Sequence, residues 1–478
     1  MDRSLSRKSK GLSSPVGGGM KLRTIFVLVA VLALVAAACS PDDAADTTEA
    51  ASGTTVAAPD TTEAAPDTTE AATGTTEAAD DNPLADFGED SSAADPALVE
   101  KALGPVEPSD DASWNIVLAS IARANQDLDQ ATIDKALECW NAPECDTGSG
   151  GELVMGYADG AGHLNVWRSV THMEAILQAL TYPEIGTIVS TEGQWAYDPT
   201  IQQGNLDFLM QYPVDFIVGY PDYPELVYEQ IAAATAAGIP YVPFSGGWVG
   251  LPGVHDFALT PGEGYLSVVG EDLCSLGESF SDVLNAGVGE GEIGVLGGSA
   301  GNGLTLGWQQ CHIPTFDGTV VNPPLAENTT TGDTNWLNDV ALQVVSGMLS
   351  TNPDIAGFSY EYADGMNTAL QAYEDLAIPF PENLTLALRT DEMTLFCDWV
   401  ERAEPGYRIF YSAGGNFQSR TAVTAVMMSM QGADIPAELV VPHVMREVTA
   451  DDCDPNAPTP TVSGTSLVPG DLLQLMFG

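Results

Sequence analysis

Apolar and polar positions alternate in blocks along most of the chain. Apolar runs of strand length occur at Leu153–Tyr157, Thr187–Ser190, Asp215–Tyr220, Tyr241–Phe244, Asp256–Leu259, Ile293–Leu296, Thr319–Asn322, Ile355–Tyr360, Leu384–Leu388, Arg408–Ser412 and Leu439–Met445. Between most of them apolar residues recur at helical spacing, as in Tyr223–Ala237, Tyr265–Leu284, Asn335–Leu349, Ala363–Leu376 and Phe417–Met430. Strand–helix alternation predicts parallel sheets with helices on both faces. So many strands exceed one ordinary open sheet, and two α/β lobes are expected. Ahead of them Leu98–Leu103, Ser113–Asn125 and Gln130–Trp140 read as helices, closed by a glycine-rich break at 148–151. Ligands of such sheets sit beyond the carboxyl ends of the strands, and with two lobes the cleft between them is the natural site.

The first forty residues carry a different signal. Arg3, Arg7, Lys8, Lys10, Lys21 and Arg23 precede an unbroken apolar run from Ile25 to Ala38. That run is short of the roughly 20 residues a membrane span needs, and its flanks are those of a secretory signal. It ends Ala36-Ala37-Ala38-Cys39-Ser40, which resembles a bacterial lipoprotein cleavage site with Cys39 as the lipidated terminus. Simple secretion is the alternative. Met20 would give a more typical signal length. From Ser40 to about Ala94 the chain repeats Thr-Thr-Glu-Ala-Ala and Pro-Asp-Thr-Thr with almost no large apolar residue. Such a segment cannot bury enough surface to offset its ordering entropy, so 40–97 is expected to be a solvated tether.

Charge narrows the function classes. The 478 residues hold 67 acidic against 15 basic side chains, a formal net charge of −52. Only 16 of the acids and 6 of the bases fall in residues 1–97, so the excess lies in the body. Nucleic acid requires a basic surface, so the charge argues strongly against it as a partner, and it equally disfavours docking on anionic lipid through basic patches. The acidity itself fits either a salty, high-calcium exterior or lineage-wide amino-acid usage. Six cysteines remain once Cys39 is set aside: Cys139, Cys145, Cys274, Cys311, Cys397 and Cys453. An even number in an exported chain reads as disulfides, with fifteen possible pairings, and proximity favours Cys139–Cys145. No pair has CxxC spacing, which speaks against zinc or a redox motif.

Three stretches carry a resemblance. Val214-Asp215-Phe216-Ile217-Val218-Gly219-Tyr220-Pro221, followed by Leu226 through Ala237-Gly238-Ile239-Pro240-Tyr241-Val242, resembles the sugar-binding family of type I periplasmic binding proteins. Leu349, Asn352-Pro353-Asp354-Ile355, Gly357-Phe358, Asp364-Gly365-Met366 and Ala369-Leu370-Gln371-Ala372 resemble the strand and helix that bear that family's binding Asn or Asp. Tyr157 and Asn165-Val166-Trp167 resemble its first strand and aromatic turn. The resemblance covers about residues 151–450. It implies two Rossmann-like lobes with parallel sheets, joined by three crossing strands and closing on a ligand. The expected division is a lipoprotein signal peptide (1–39), the tether (40–97) and a helical extension (98–150) that the family usually lacks, then, as the resemblance implies, a first lobe (151–260 with 413–437) and a second lobe (261–412 with 438–455), and a tail (456–478). The implied fold also favours Cys274–Cys311 and Cys397–Cys453 as the other disulfides. The role it implies is delivery of a sugar or polyol to an ABC transporter permease, by a monomer held to the outer face of the membrane through its lipid anchor, with no cofactor and no catalysis.

Sugar sites set aromatic faces against the ring and planar polar side chains against hydroxyls. Carried over position by position, the first lobe offers Tyr157, Asp159, Asn165, Trp167 and Trp248; many relatives carry an Asp-Arg pair at the last position. The second lobe offers Asn302, with Thr305, where relatives commonly place an arginine. Glu361, Tyr362 and Asp364 fall near the binding Asn/Asp, with one residue inserted; Arg389 and Asp391 end the next strand, and Asn416 lies near the last contact. A sensor or quorum-signal receptor of the same fold is an alternative role. Gly297-Gly298-Ser299-Ala300-Gly301 is a literal G-x-S-x-G between strand and helix, with Asp391 and His443 following in hydrolase order. No oxyanion segment accompanies it, and a serine hydrolase using Ser299 is the remote alternative. The five histidines (His163, His172, His255, His312, His443) show no metal-ligand spacing.

Overall fold

A computed structural model describes residues 84–106, 111–125, 128–159, 165–192, 199–245, 264–457 and 464–478, together with 82, 109 and 259–262. Cys39, Trp248, His163, His255 and most of the expected strand Asp256–Leu259 lie outside the described residues.

Three helices open the body: α1 (Pro96–Leu103), α2 (Ala112–Ala122) and α3 (Gln130–Trp140). Each starts where an aspartate, Asp95, Asp111 or Asp129, accepts a backbone N–H of the first turn. A first sheet follows, from β1 (Glu144–Asp146), β2 (Leu153–Asp159), α4 (Val166–Leu180), β3 (Ile185–Glu192), α5 (Pro199–Gln211), β4 (Phe216–Tyr220), α6 (Tyr228–Ala236) and β5 (Tyr241–Pro243). Its order is β1-β3-β2-β4-β5, parallel except for β1. Strand β4 is buried throughout, as a strand covered on both faces must be.

After β6 (Val268–Glu271) come α7 (Leu273–Gly287), β7 (Glu292–Val295), α8 (Gly303–Thr315), β8 (Thr319–Val320), α9 (Asn338–Thr351), β9 (Gly357–Tyr360), α10 (Ala363–Ala369), α11 (Ala372–Asp375), β10 (Asn383–Leu388), α12 (Met393–Arg402) and β11 (Gly406–Tyr411). The chain ends with α13 (Gln418–Met430), β12 (Glu438–Val441), β13 (Arg446–Glu447) and α14 (Gly470–Phe477). The second sheet runs β13-β11-β10-β9-β7-β8, and β6 pairs with β12 in parallel. A bridge from Phe244 to Val269 joins that pair to the end of β5.

Helix α13 packs on α2, α4 and β4–β6, whereas α7 packs on α8, β9 and β10. The chain therefore passes between the two halves three times: after β6, between β11 and α13, and between β12 and β13. This is the crossing arrangement of a two-lobed, parallel α/β protein.

The helices of 96–140 are part of the first half's core. Trp114, Ile116, Val117 and Ile121 of α2 join one apolar cluster with α4 and α13, and Ser120 hydrogen-bonds Thr421 at 2.9 Å. The expected tether ends in folded structure, because Leu84 is buried and Glu89 holds Arg123 at 2.8 Å beneath Tyr182. The expected tail likewise contains α14, whose Leu472 and Leu473 enter the same core with Leu467 and Val468. All three disulfides, Cys139–Cys145, Cys274–Cys311 and Cys397–Cys453, are formed. No helix among the described residues is long and apolar enough to cross a membrane.

Candidate functional site

The carboxyl ends of β2, β4, β9 and β10 converge on a cleft lined by Asn165, Trp167, Arg168, Tyr220, Leu304, Trp336, Glu361, Tyr362, Arg389 and Thr390. Asn165 accepts the backbone N–H of Arg168 and so starts α4, which aims Trp167 and Arg168 into the cleft. Trp167 is fixed by donation from its Nε1 to the Gly414 carbonyl at 2.6 Å and lies edge-on to Tyr220, 5.5 Å between centroids. Across the cleft Trp336 sits in a left-handed turn with Asn335, both at φ near 50° (53° and 52°). Non-glycine residues adopt that conformation rarely, and it concentrates at functional sites. The cavity at this point encloses about 30 Å³, room for roughly two waters, so a ring-sized ligand requires the halves to part.

Arginines of the cleft are held by carboxylates. Arg168 donates to Asp159 at 2.7 Å and to Asp222, and stacks over Tyr220 with its Cζ 3.7 Å from the ring centroid. Burial pushes the Asp222 carboxyl up to about 7, against the pull of Arg168. Arg389 grips both oxygens of Glu271 and donates to Ser245 at 3.0 Å. Burial would raise the Glu271 carboxyl, but the Arg389 charge outweighs it and holds the group well below the usual carboxylate range. Glu361 accepts from Trp308, from Trp336 at 2.7 Å and from Thr305 at 2.8 Å; burial pushes it up to about 7.

The residues singled out in the sequence fall into distinct places. Asn165, Trp167, Tyr362 and Arg389 line the cleft; Asp364 and Asp391 line an adjoining cavity that shares Trp167, Tyr362 and Thr390 with it. Asp391 accepts from Thr465 at 2.8 Å, and Asp364 from Asn338 at 2.9 Å. Asn302 links the halves by donating to the Asp222 carbonyl at 2.9 Å while capping α8. Asn416 backs the cleft, donating to the Trp167 carbonyl and to Thr171, both at 2.9 Å. Tyr157 sits in the core, stacked on His172 at 4.3 Å. Asp159 stands behind Arg168 and lines a neighbouring cavity with Gln202 and Asn205. Sequence reading passed over Arg168, Tyr220, Asp222 and Trp336. Arg168 had a signal, since bases are scarce in this body and this one follows directly on the aromatic turn.

The hydrolase constellation does not form. Ser299 Oγ has no hydrogen-bond partner among the described residues, and Asp391 is turned to Thr465. His443 meets Ser412 through Nδ1 at 2.9 Å and Glu271 through Nε2 at 2.7 Å. The motif's first two glycines have a packing cause. A Cβ at Gly297 would stand 2.4 Å from Thr305, and one at Gly298 would stand 2.0 Å from the Trp336 ring.

Residues 184–380 match the family model of a periplasmic binding protein domain. That stretch is a periplasmic binding protein domain. No curated protein matches the sequence. Among solved structures, this binding-protein fold is shared with an ABC transporter periplasmic solute binding protein from Actinobacillus succinogenes with bound D-allose. The two are 16% identical over 63% of this chain and 98% of that one, with a TM-score of 0.51. A solute binding protein from Agrobacterium vitis bound with alpha-D-tagatopyranose is 15% identical over 62% and 94%, TM-score 0.50. One from Bacillus halodurans with bound myo-inositol is 16% identical over 63% and 96%, also at 0.50. At these identities the shared feature is the fold. Glu271, Ser412 and His443 stand one on each of the three passages between the halves.

Proposed function

We propose that this protein captures a small sugar or polyol between its two lobes and delivers it to an ABC importer. The observation that carries the reading is the cleft itself. Trp167, Tyr220, Trp336 and Tyr362 bring aromatic rings to its lining from both halves, beside hydrogen-bonding side chains fixed by ion pairs. That combination matches a ring with apolar C–H faces and a hydroxyl rim. The solutes named for the three solved structures are of this class. On this reading the first lobe takes β1–β5 with α13, and the second takes β7–β11. Cys39 carries a lipid and the Thr/Glu/Ala-rich stretch acts as the tether, holding the lobes on the outer face of the cell membrane beside the permease.

Calorimetric titration of the whole chain with sugars and cyclitols tests the reading. One saturable solute is expected, with affinity reduced at least tenfold in Trp167→Ala. A folded protein that binds none of them would refute it. For the anchor, Cys39→Ser is expected to move the protein from the membrane fraction to the medium; unchanged retention would refute lipidation.

A further inference from the structure

The cleft contains a carboxylate with no cation of its own. Glu361 follows β9, is 1% exposed, and lines the cavity with the four aromatic rings. Its partners are all donors. The indole N–H groups of Trp308 and Trp336 have no acceptor capacity. The Thr305 hydroxyl already accepts the Gly298 N–H at 3.0 Å, so its own hydrogen goes to Glu361. This shell suits the ionised form and offers no acceptor for a carboxylic proton, while burial works in the opposite direction.

The cations nearby are committed elsewhere. Arg168 is bound to Asp159 and Asp222, and Arg389 to both oxygens of Glu271; Arg389 acts on Glu361 only through space. No lysine, arginine or histidine forms an ion pair with Glu361 among the described residues. The adjoining cavity adds Asp364, Asp391 and Glu392 and no basic side chain to its lining; Lys101 of α1 reaches Asp391 only through space. The described residues contain no group of three or more His, Cys, Asp or Glu placed to hold a metal ion. The unmet charge therefore calls for an organic cation.

We propose that the ligand of this cleft carries a positively charged nitrogen on its ring, as an amino sugar or aminocyclitol does, with the ammonium turned toward Glu361 between the aromatic faces. The inference rests on the carbohydrate-binding reading and narrows it. Aromatic faces attract cations, most strongly where water is excluded. An ammonium also makes a charge-assisted bond with a carboxylate, roughly twice the strength of the bond a neutral hydroxyl makes.

The test titrates the whole chain with glucosamine, galactosamine and mannosamine, each beside its parent hexose and its N-acetyl derivative, at pH 6.5 and low salt. At least one hexosamine is expected to bind tenfold or more tighter than both of its neutral counterparts. Glu361→Gln is expected to erase that ratio, and Glu361→Asp, which keeps the charge, to retain part of it. A neutral hexose binding as tightly as its amine would overturn the cationic ligand while leaving the carbohydrate reading intact. An amine preference unchanged in Glu361→Gln would overturn the role given to Glu361. Should no amine, hexose, N-acetyl sugar or cyclitol bind a folded protein, the carbohydrate reading falls and this inference with it. The wild-type ratio decides the ligand's charge even if neither variant folds.

Discussion

Glu174→Gln is the substitution whose cost the structure defines most fully. Glu174 lies on α4 with no solvent exposure. One carboxylate oxygen accepts from Ser466 Oγ at 2.8 Å and from the backbone N–H groups of Leu467 at 2.6 Å and Val468 at 3.1 Å. The other accepts from Arg420, itself 3% exposed, whose second contact is Gln178 at 3.1 Å. Glutamine fits the space but presents one acceptor and one donor to a site whose neighbours all donate. Either the three groups of the C-terminal segment or Arg420 must then face an N–H₂. Removing one partner of a buried ion pair costs about 3–5 kcal/mol, since it strands the other charge. Against a total stability of about 5–15 kcal/mol that is a large share. Urea denaturation followed by tryptophan fluorescence should show the midpoint falling by an amount equivalent to about 4 kcal/mol. Limited proteolysis should cut the variant first near 464–478. Glu174→Gln/Arg420→Met should lose less than the single variant, because it leaves no charge behind. A loss under about 1 kcal/mol, with the C-terminus still protected, would refute the account, since that is the range of solvated pairs.

The disulfides should rank by the chain each one closes. Cys397–Cys453 spans 56 residues and Cys139–Cys145 only 6, so chain-entropy arguments give about 4 and about 2 kcal/mol. Paired Cys→Ser variants compared by urea midpoint check the order, and equal losses would contradict it. Stability should also fall as the medium becomes less acidic. Asp222 and Glu392 are each pushed up to about 7 by burial, so the folded chain keeps protons that the unfolded chain sheds between about pH 4 and 7. Their contribution is complete below the unfolded pKa and is lost as pH rises through 7. The urea midpoint should drop from pH 5 to pH 8, with a shallower drop in Glu392→Gln; an unaltered slope in that variant would remove Glu392 from the set.

Much of the fold was legible because parallel strands buried on both faces must be apolar along their length. The runs at Asp215–Tyr220 and Leu384–Leu388 coincide with β4 and β10 for that reason. Legibility failed where signals overlap. Val268–Glu271 is a strand inside an expected helix, Tyr265–Leu284; Asp272, which caps α7 by accepting from Ser275, was the mark that should have divided them. Pro442 stops the expected strand Leu439–Met445 after Val441, and pairing resumes only at Arg446. The closing helix α14 is eight residues long, and its place is set by Leu472 and Leu473 meeting a core built by distant segments.

The site was legible in position and not in role. Strand ends announce where a ligand should lie, yet each side chain there chooses among partners that sequence does not rank. Asp391 chose Thr465, Asp159 chose Arg168, and Arg389 chose Glu271. The last choice ties binding to motion. Arg389 reaches from a wall of the cleft to Glu271, which stands on the first passage between the halves; Glu271 meets His443 on the third, and His443 meets Ser412 on the second. A buried pair gripping both carboxylate oxygens is costly to break, so opening that leaves it intact must turn about these three passages. Arg389, Glu361 and Trp336 all belong to the second half and travel together, so opening changes their separation from Trp167, Arg168 and Tyr220 of the first half. A ligand that touches Glu361 and Trp336 on one wall and Trp167 and Tyr220 on the other therefore makes its full set of contacts only in the closed arrangement. Differential contact of that kind is what allows a ligand to shift the balance between open and closed forms.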